Sequence, residues 1–230
     1  MKKIYEDGTY LDNNPRWHEN DSQWKAKWIN YIITKNSLTP KTICEVGCGA
    51  GEILNQLSEL NPERDFFGYE ISPQAFELSK RKAKQNLTFK LSDLLIDDQV
   101  HFDIVMAIDV FEHVEDYFGF LRKLQKKAEY KIFNIPLDLS VQSIFRSSPI
   151  LKERASVGHI HYFTKDTALE TLKDTGHSII DYLYTANSVE LPNRGWKASL
   201  LKLPRKILFS INKDFAVRLL GGYSLIVLAK

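Results

Sequence analysis

Short apolar runs alternate with segments in which apolar residues recur every three to four positions along most of this chain. The apolar runs have the length and composition of buried parallel strands. The segments between them have the spacing of amphipathic helices. The pattern predicts strands at 42–47, 65–71, 87–93, 102–109, 130–136, 178–185 and 223–229, and helices at 21–36, 51–60, 73–85, 116–128 and 164–176.

Local signals support these boundaries. Ser72 is a favourable N-cap, and Pro73 suits the first helical turn that follows it. Residues 137–163 show no clear period and are expected to be irregular. Between the last two strands, Pro204 is expected to interrupt a helical segment.

The alternation of strands and helices implies an α/β fold with a parallel sheet, helices on both faces and right-handed crossovers. Such sheets bind ligands at the carboxyl ends of their strands, near the point where the strand order reverses. Gly47, Gly49 and Gly51 follow the first predicted strand directly. Chemistry is therefore expected at this edge of the sheet.

Composition narrows the class of protein. The 230 residues, 43% hydrophobic and 26% charged, suit one globular domain over 1–230. The charged N-terminus does not resemble a signal peptide, and no apolar stretch has transmembrane length, so a cytoplasmic protein is expected. Cys44 and Cys48 are expected to be reduced packing residues, and no metal site is expected, because a zinc site needs more nearby Cys or His.

The glycine stretch EVGCGAG is not typical of a phosphate site. Glu52 stands where a dinucleotide fingerprint has its third glycine, and an acid there opposes a diphosphate. Glu45, beneath the turn, suits a ligand with a cationic group. Glu70, about 20 residues further on, has the position that binds ribose hydroxyls, and Asp93 can accept the exocyclic amine of adenine. Three acids without a phosphate binder fit S-adenosylmethionine.

The segments EVGCGAG, GYEIS, LSDLL and DIVMAIDVFEHVED resemble the successive motifs of S-adenosylmethionine-dependent methyltransferases of the Rossmann-like class, in particular the type 11, 12 and 23 small-molecule enzymes. The resemblance covers roughly 42–136. It implies a three-layer sandwich with a seven-stranded, mostly parallel sheet of order 3-2-1-4-5-7-6, whose last strand is antiparallel. It also implies S-adenosylmethionine as cofactor and S-adenosylhomocysteine as product.

The same resemblance implies roles for individual residues. The methionine part would lie against the glycine turn, the ribose against an acid, and the adenine beside the second and third strands. Gly51 is as well explained as a helix-packing glycine, and Cys48 would contribute its backbone. The implied cofactor residues are Glu45, Gly47, Cys48, Gly49 and Gly51, then Glu70 for the ribose, Ile71, Asp93 and Leu94 for the adenine, and Asp109 and Val110 beneath the reactive methyl group.

Methyl transfer to a hydroxyl acceptor needs a base beside an aligned, desolvated methyl group. His113 follows the fourth strand, and the segment GHIHYFT carries His159 and His161. These three histidines are the candidate catalytic residues, and a structural role is an equal alternative for each. His101 and His177 are expected to be structural.

The N-terminal segment NPRWHENDSQWKAKWI resembles a signature of bacterial methyltransferases associated with surface-glycan or secondary-metabolite genes. It predicts a lid over the cofactor mouth within 1–36, with Trp17 and Trp24 stacking on the cofactor or acceptor. Lys25 or Lys27 would meet the methionine carboxylate. The alternative is an amphipathic helix that packs on the sheet.

The acceptor is expected to lie among the inserts 1–36, 137–163 and 186–222. A small-molecule or glycan acceptor methylated at oxygen is favoured; N- or C-methylation and a non-catalytic cofactor-binding subunit stay open. Nucleic acid is not expected as a partner, and a monomer or a homodimer fits equally.

The segment 196–230 carries a formal charge of +6 against −4 elsewhere. Within it, the basic and apolar segment 196–220 fits peripheral membrane contact, a pocket cap or a dimer contact.

Overall fold

The computed structural model describes residues 21–191 and 196–230. Seven strands form one sheet of order β3-β2-β1-β4-β5-β7-β6, which is the order that the family resemblance implies. β7 runs antiparallel to β5 and β6, and the other pairings are parallel. The strands are β1 (Thr42–Val46), β2 (Asp65–Glu70), β3 (Leu87–Leu91), β4 (Phe102–Ile108), β5 (Ala128–Pro136), β6 (Ile179–Thr185) and β7 (Ser224–Ala229).

Helices cover both faces of the sheet. Short 3₁₀ turns at Lys80–Lys82, Leu94–Ile96 and Phe111–His113 supplement them. The helices are α1 (Ser22–Lys35), α2 (Glu52–Leu60), α3 (Pro73–Ser79), α4 (Tyr117–Gln125), α5 (Val141–Arg146), α6 (Ser148–Ser156), α7 (Lys165–Asp174), α8 (Asn187–Glu190), α9 (Trp196–Ile211) and α10 (Lys213–Leu220). None of the described helices has the combined length and hydrophobicity that a membrane crossing requires.

Two hydrophobic cores lie on opposite sides of the sheet. Because side chains alternate along a strand, Cys44 and Val46 of β1 belong to one core and Ile43 belongs to the other. The second core also contains Ala26 and Ile29 of α1, so this helix packs on one face of the sheet. The three-layer arrangement expected for the chain is confirmed. Both cysteines are free and buried.

The predicted helix at 73–85 is wrong in length. α3 ends at Ser79, and the 3₁₀ turn that follows buries none of its residues. The segment after Ser79 is mostly basic, and its single apolar residue, Ala83, is exposed, so packing does not extend the helix. Lys82 instead donates from Nζ to the backbone carbonyl of Ala50, at 2.9 Å.

Two of the inserts are more helical than expected. The stretch 137–163 was predicted to be irregular, but it contains α5 and α6. Ser140 caps α5 in a capping box with Ser143, and Pro149 lies in the first turn of α6. These helices bury almost no apolar side chain, so their sequences lack the period that predicts a helix.

α9 continues through Pro204, so the predicted interruption is also wrong. Side chains on both sides of the proline hold this helix in place. Lys202 donates to the carbonyl of Leu191, at 2.7 Å, and Arg205 donates to the carbonyl of Gly221, at 2.8 Å. Residues 1–20 and 192–195 lie outside the described residues. The predicted stacking of Trp17 therefore stays a prediction.

His177 gives a first test of the packing. It is 3% exposed, and its ring lies edge-on to Phe133. Burial, then the charge of Lys131, lowers its pKa to about 4, whereas an unfolded histidine titrates near pH 6.5. Between these values the unfolded chain binds the proton, so stability falls as the pH falls.

We expect the wild-type free energy of unfolding to drop by about 2–3 kcal/mol more than that of His177→Gln between pH 7 and pH 4.5. Urea unfolding at both pH values measures the difference, and His101→Gln, at an exposed position, is the matched control. An equal pH dependence in wild type and His177→Gln would show that His177 is not held neutral by the fold.

Candidate active site

A cavity of about 350 Å³ opens at the carboxyl ends of β1 and β4. β1 lies at the centre of the parallel strands. β2 and β3 are added on one side of β1, and β4 and β5 are added on the other side, so the strand order reverses at β1. This is the topological switch point at which α/β sheets bind ligands. Most lining residues come from the turn after β1, the first turn of α1, the ends of β4 and β5, and the insert 137–163, and the starts of α2, α8 and β7 contribute the others.

The turn after β1 presents its backbone to the cavity. Gly47 and Gly49 have φ of +66° and +55°, a region that glycine enters without strain. A Cβ at Gly47 would lie 3.2 Å from Val110, so the two segments already touch. Gly51 both lines the cavity and packs, because a Cβ there would lie 2.5 Å from the Phe89 ring. Both expected roles of Gly51 are therefore compatible with its position.

Glu45 supplies a buried carboxylate to this cavity. Glu45 is 2% exposed, and its Oε2 atom has no hydrogen-bond partner among residues 21–191 and 196–230. Burial raises the pKa of Glu45 well above its ordinary value, and the charges of Glu70 and Asp109 add to this effect while Lys25 opposes it. A buried carboxylate oxygen without a partner is costly. A ligand with a cationic amino group, such as the methionine part of S-adenosylmethionine, would supply the missing partner.

Asp109 lies at the end of β4 and also faces the cavity. It has a φ of +54°, a conformation that few residues other than glycine adopt. Its carboxylate accepts a hydrogen bond from Asn134, at 2.6 Å, and pairs with Lys25, at 2.8 Å. Burial disfavours its charge, but the charge and hydrogen bond of Lys25 outweigh burial and lower the pKa of Asp109. The strained backbone and these two bonds fix a charged carboxylate beneath the cavity.

Lys25 connects α1 to the site. Its ammonium lies 2.9 Å from Asp21 and 2.8 Å from Asp109, and the side chain is 12% exposed. Burial opposes its charge, but these two carboxylates raise its pKa. Trp24 lines the cavity, and its indole N–H donates to Glu190 at 2.6 Å. The first turn of α1 thus borders the cavity while the rest of the helix packs in the core; Lys27 is exposed.

The expected nucleoside residues lie beside the turn. The Glu70 carboxylate accepts hydrogen bonds from the backbone amides of Gly49, Ile71 and Ser72, at 2.7–2.8 Å. Burial raises its pKa, and these bonds oppose the shift. A carboxylate has about four acceptor positions, so Glu70 shapes the glycine turn and keeps capacity for one more donor.

The expected adenine residues do not line the 350 Å³ cavity. Ile71 is 52% exposed, and Leu94 is fully buried. Asp93 caps the 3₁₀ turn Leu94–Ile96 by accepting from the amide of Leu95, at 2.9 Å. These residues lie at the ends of β2 and β3, next to the cavity rather than inside it. Their roles stay predictions.

The wall opposite the glycine turn carries two of the three candidate histidines. His113 and His159 line the cavity, and their rings lie 4.8 Å apart. His159 Nδ1 lies 2.7 Å from the carboxylate of Asp138. The buried carboxylate of Glu112 lies next to both rings, at 3.9 Å and 4.0 Å from their Nε2 atoms. This wall therefore brings acidic and basic side chains together beside the cavity.

His161 is not among the cavity-lining residues. Its Nε2 lies 2.9 Å from the carbonyl oxygen of Val114, to which it donates, and its ring packs against Tyr117. The backbone amides of Ile160 and His161 donate to the carbonyl of Glu112. His161 therefore fastens the segment GHIHYFT to the turn after β4, and this fastening positions His159.

The sequence reasoning missed three site residues. Asp138 follows β5 by two positions, and an acid just past a strand end is a signal that could have identified it. Glu112 lies within the segment DIVMAIDVFEHVED, yet only the fold reveals that its buried carboxylate lies next to two histidine rings. Glu153 of α6 also lines the cavity, and no local pattern marks it.

The buried ion pair of the site predicts a stability effect. Lys25→Met should lower the free energy of unfolding by about 2–4 kcal/mol, because it leaves the Asp109 carboxylate, three-quarters buried, without its cation. Urea denaturation at pH 7 measures the change. Lys27→Met is the matched control at an exposed position of the same helix and should change stability by less than about 0.5 kcal/mol. Equal stabilities of the two variants would contradict the pairing.

Comparisons with known proteins agree with this site. Residues 44–128 match a family model described as a methyltransferase domain. O-methyltransferase 3 of Dictyostelium discoideum is 34% identical over 64 residues, which span 27% of this chain and 15% of that protein. A tRNA (guanine-N(7)-)-methyltransferase of Mycoplasmopsis agalactiae is 32% identical over 92 residues, which span 37% of this chain and 43% of that protein. The matches thus cover less than half the length of both curated relatives.

A solved structure covers the whole fold. Magnesium protoporphyrin IX methyltransferase from Synechocystis PCC 6803, with bound S-adenosylhomocysteine, has a TM-score of 0.67 and 17% identity, over 100% of this chain and 99% of that one. The sheet order, the orphaned Glu45 carboxylate and the glycine turn fit the same cofactor. Residues 44–128 of the chain therefore match a methyltransferase domain, and the chain as a whole has the fold of magnesium protoporphyrin IX methyltransferase.

Proposed function

We propose that this protein transfers a methyl group from S-adenosylmethionine to an oxygen atom of a small-molecule or glycan acceptor. One observation carries the proposal: the glycine turn with Glu45 and the wall with His113 and His159 line the same cavity. A cofactor held by the turn would present its methyl group to an acceptor held at the wall. Alignment and exclusion of water are the main contributions that such a reaction needs from the protein.

The cofactor supplies a methyl group activated by a sulfonium. Glu45 would accept a hydrogen bond from the amino group of the cofactor. Glu70, fixed by three backbone amides, would use its remaining acceptor position for a ribose hydroxyl. Asp109 and Lys25 hold the floor of the cavity in place. Asp138, with its oxygen 2.7 Å from His159 Nδ1, orients that ring toward the acceptor.

Oxygen is favoured over nitrogen for two reasons. A hydroxyl must lose its proton to become a nucleophile, and the wall gathers groups that can assist this loss. Asp109 is followed by Val110 and Phe111, whereas many amide and nucleobase N-methyltransferases carry a [DN]PP[YF] motif here. The curated relatives include one O- and one N-methyltransferase by name, so N- or C-methylation is the second enzymatic reading. A cofactor-binding subunit without turnover is the alternative outside catalysis.

Two measurements on the same samples test the proposal. Calorimetric titration with S-adenosylhomocysteine should show binding that Glu45→Gln weakens by about 10–150-fold, the value of one charged hydrogen bond. Glu63→Gln, at an exposed position, should bind as the wild type does. Incubation with methyl-labelled cofactor and a panel of phenols, sugars and lipid-linked glycans should label a hydroxyl. Binding without label on any acceptor would favour the non-catalytic subunit, and label on nitrogen would contradict O-methylation.

We also propose that α9 contacts an anionic membrane surface at its periphery. Leu203, Ile207 and Ile211 are spaced four residues apart, so they share one face of the helix, and they are 66%, 52% and 77% exposed. The exposed Lys206 lies beside this stripe. Exposed apolar side chains next to basic ones are typical of an interfacial helix. A cytoplasmic protein with such a contact could reach an acceptor that is carried on a membrane lipid.

Co-sedimentation with phosphatidylserine vesicles at low salt tests this contact. We expect the wild type to bind and the triple variant Leu203→Ser, Ile207→Ser, Ile211→Ser to lose most of its binding, because the apolar stripe drives insertion. Leu60→Ser, which changes a 58% exposed leucine elsewhere, is the control. Wild-type protein that stays in the supernatant, or a triple variant that still sediments, would refute the membrane proposal.

A further inference from the structure

Three side chains on the acceptor wall form a compact set of metal-ligating groups. Glu112, His113 and His159 each offer one ligand atom, and these atoms all lie within 4.8 Å of one another. Glu112 and His113 come from the 3₁₀ turn after β4, and His159 comes from the segment before α7. The two segments are fastened together by hydrogen bonds from the amides of Ile160 and His161 to the carbonyl of Glu112. The cluster is thus held by backbone on both sides.

Glu112 is the reason to look for an ion here. The residue is 1% exposed, and neither carboxylate oxygen has a hydrogen-bond partner within the described parts of the chain. Burying a carboxylate in this way is costly unless a cation or a donor compensates it. Lys25 compensates this cost only in part, because its charge favours the ionised form of Glu112 but its ammonium lies within 3 Å of two other carboxylates, and burial still outweighs it. A cation between Glu112 and the two imidazoles would remove this cost.

Asp138 prepares His159 for such an ion. The Asp138 carboxylate lies 2.7 Å from Nδ1. Because a carboxylate accepts hydrogen bonds, we place the ring proton on Nδ1, which then donates a hydrogen bond to Asp138. The lone pair then resides on Nε2, which is the atom 4.0 Å from Glu112. A carboxylate behind a ligating histidine is the usual second partner in protein metal sites, where it fixes both the tautomer and the ring orientation.

We propose that Glu112, His113 and His159 bind one divalent first-row transition ion, of which Zn²⁺ and Co²⁺ suit the donors best. Two imidazole nitrogens and one carboxylate oxygen are a common ligand set for such ions, with about 2.0–2.2 Å between ion and ligand. Side-chain adjustments of about 1 Å or less would bring the three atoms to that distance. His113 and His159 line the cavity, so the remaining coordination positions face the acceptor space.

The ion site departs from the sequence-based expectation of no metal. That expectation rests on the lack of further Cys or His residues near Cys44 and Cys48 in the sequence. The fold instead brings together His113 and His159, which are 46 positions apart in the chain. Neither cysteine belongs to the cluster. The proposed site combines the insert 137–163 with the 3₁₀ turn after β4, so local sequence spacing does not reveal it.

The role of the ion rests on the proposed function. An acceptor hydroxyl bound to the ion would lose its proton to solvent more easily, since a divalent ion lowers the pKa of a bound oxygen acid. The acceptor oxygen would then form a bond to the methyl carbon as the carbon–sulfur bond breaks. The electron pair of that bond stays on sulfur, which leaves S-adenosylhomocysteine and a methyl ether. Every atom and charge is accounted for without a further reactant.

Cobalt titration of the untagged full chain tests ion binding independently of turnover. Addition of Co²⁺ to metal-free wild type should give one equivalent of bound ion by elemental analysis and visible absorption bands of protein-bound Co²⁺. Glu112→Gln and His159→Asn should weaken binding by about 100-fold or more, and Asp138→Asn by about 10–100-fold. His101→Asn, at an exposed histidine outside the cluster, should bind as the wild type does.

Folding and cofactor binding are measured on the same samples. Metal-free Glu112→Gln should be at least as stable as metal-free wild type, because it replaces a buried, unpartnered carboxylate by a neutral amide. Absence of bound Co²⁺ in wild type, or equal binding by Glu112→Gln and wild type, would overturn the metal site. Binding of S-adenosylhomocysteine without Co²⁺ would show that such a failure concerns the ion alone and leaves the proposed function intact.

Discussion

The structure depends on how it accommodates buried carboxylates at the carboxyl end of its central strands. Glu45, Glu70 and Asp109 lie at the ends of β1, β2 and β4, and each is at most a quarter exposed. Three backbone amides hold Glu70, and Asn134 with Lys25 holds Asp109. Glu45 keeps an oxygen without a partner. Of these three acids, the fold satisfies Glu70 and Asp109 and leaves an oxygen of Glu45 without a partner in the described part of the chain.

This constraint explains the place of α1. A helix that only covered the sheet could end its contacts with Ala26 and Ile29, which pack in the core. The first turn instead sends Lys25 to Asp109, so the charge state of the cavity floor depends on a helix that precedes the whole sheet in sequence. The strained φ of Asp109 fits the same picture, since strain persists where surrounding bonds over-determine a residue.

The strands and their order were predictable because alternation and the family motifs both report on them. The glycine turn and the acids Glu45, Glu70 and Asp109 were predictable from position, since each ends a strand. The pair between Lys25 and Asp109 was not, because no local pattern links residues from a helix and a strand end so far apart. The cluster of Glu112 and His159 depends in the same way on a long-range contact. The continuity of α9 was not predicted because Pro204 argues against a helix locally, whereas hydrogen bonds from side chains on both sides of it hold the helix in place.

The two faces of the cavity divide the chemistry between them. The turn after β1 belongs to the part of the chain that matches the methyltransferase domain, and its groups suit the amino acid and ribose parts of a cofactor. Asp138, Glu153 and His159 come from the insert 137–163, so the histidine wall combines a segment outside that match with His113 inside it.

A crystal structure of the protein with S-adenosylhomocysteine tests the central claim most directly. The account predicts the ligand in the 350 Å³ cavity, with its amino group within hydrogen-bond distance of Glu45 and its ribose beside Glu70. Lys25 should still bridge Asp21 and Asp109. A ligand bound elsewhere, or in the cavity with its amino group away from Glu45, would contradict the assignment of the buried carboxylate as the cofactor's partner.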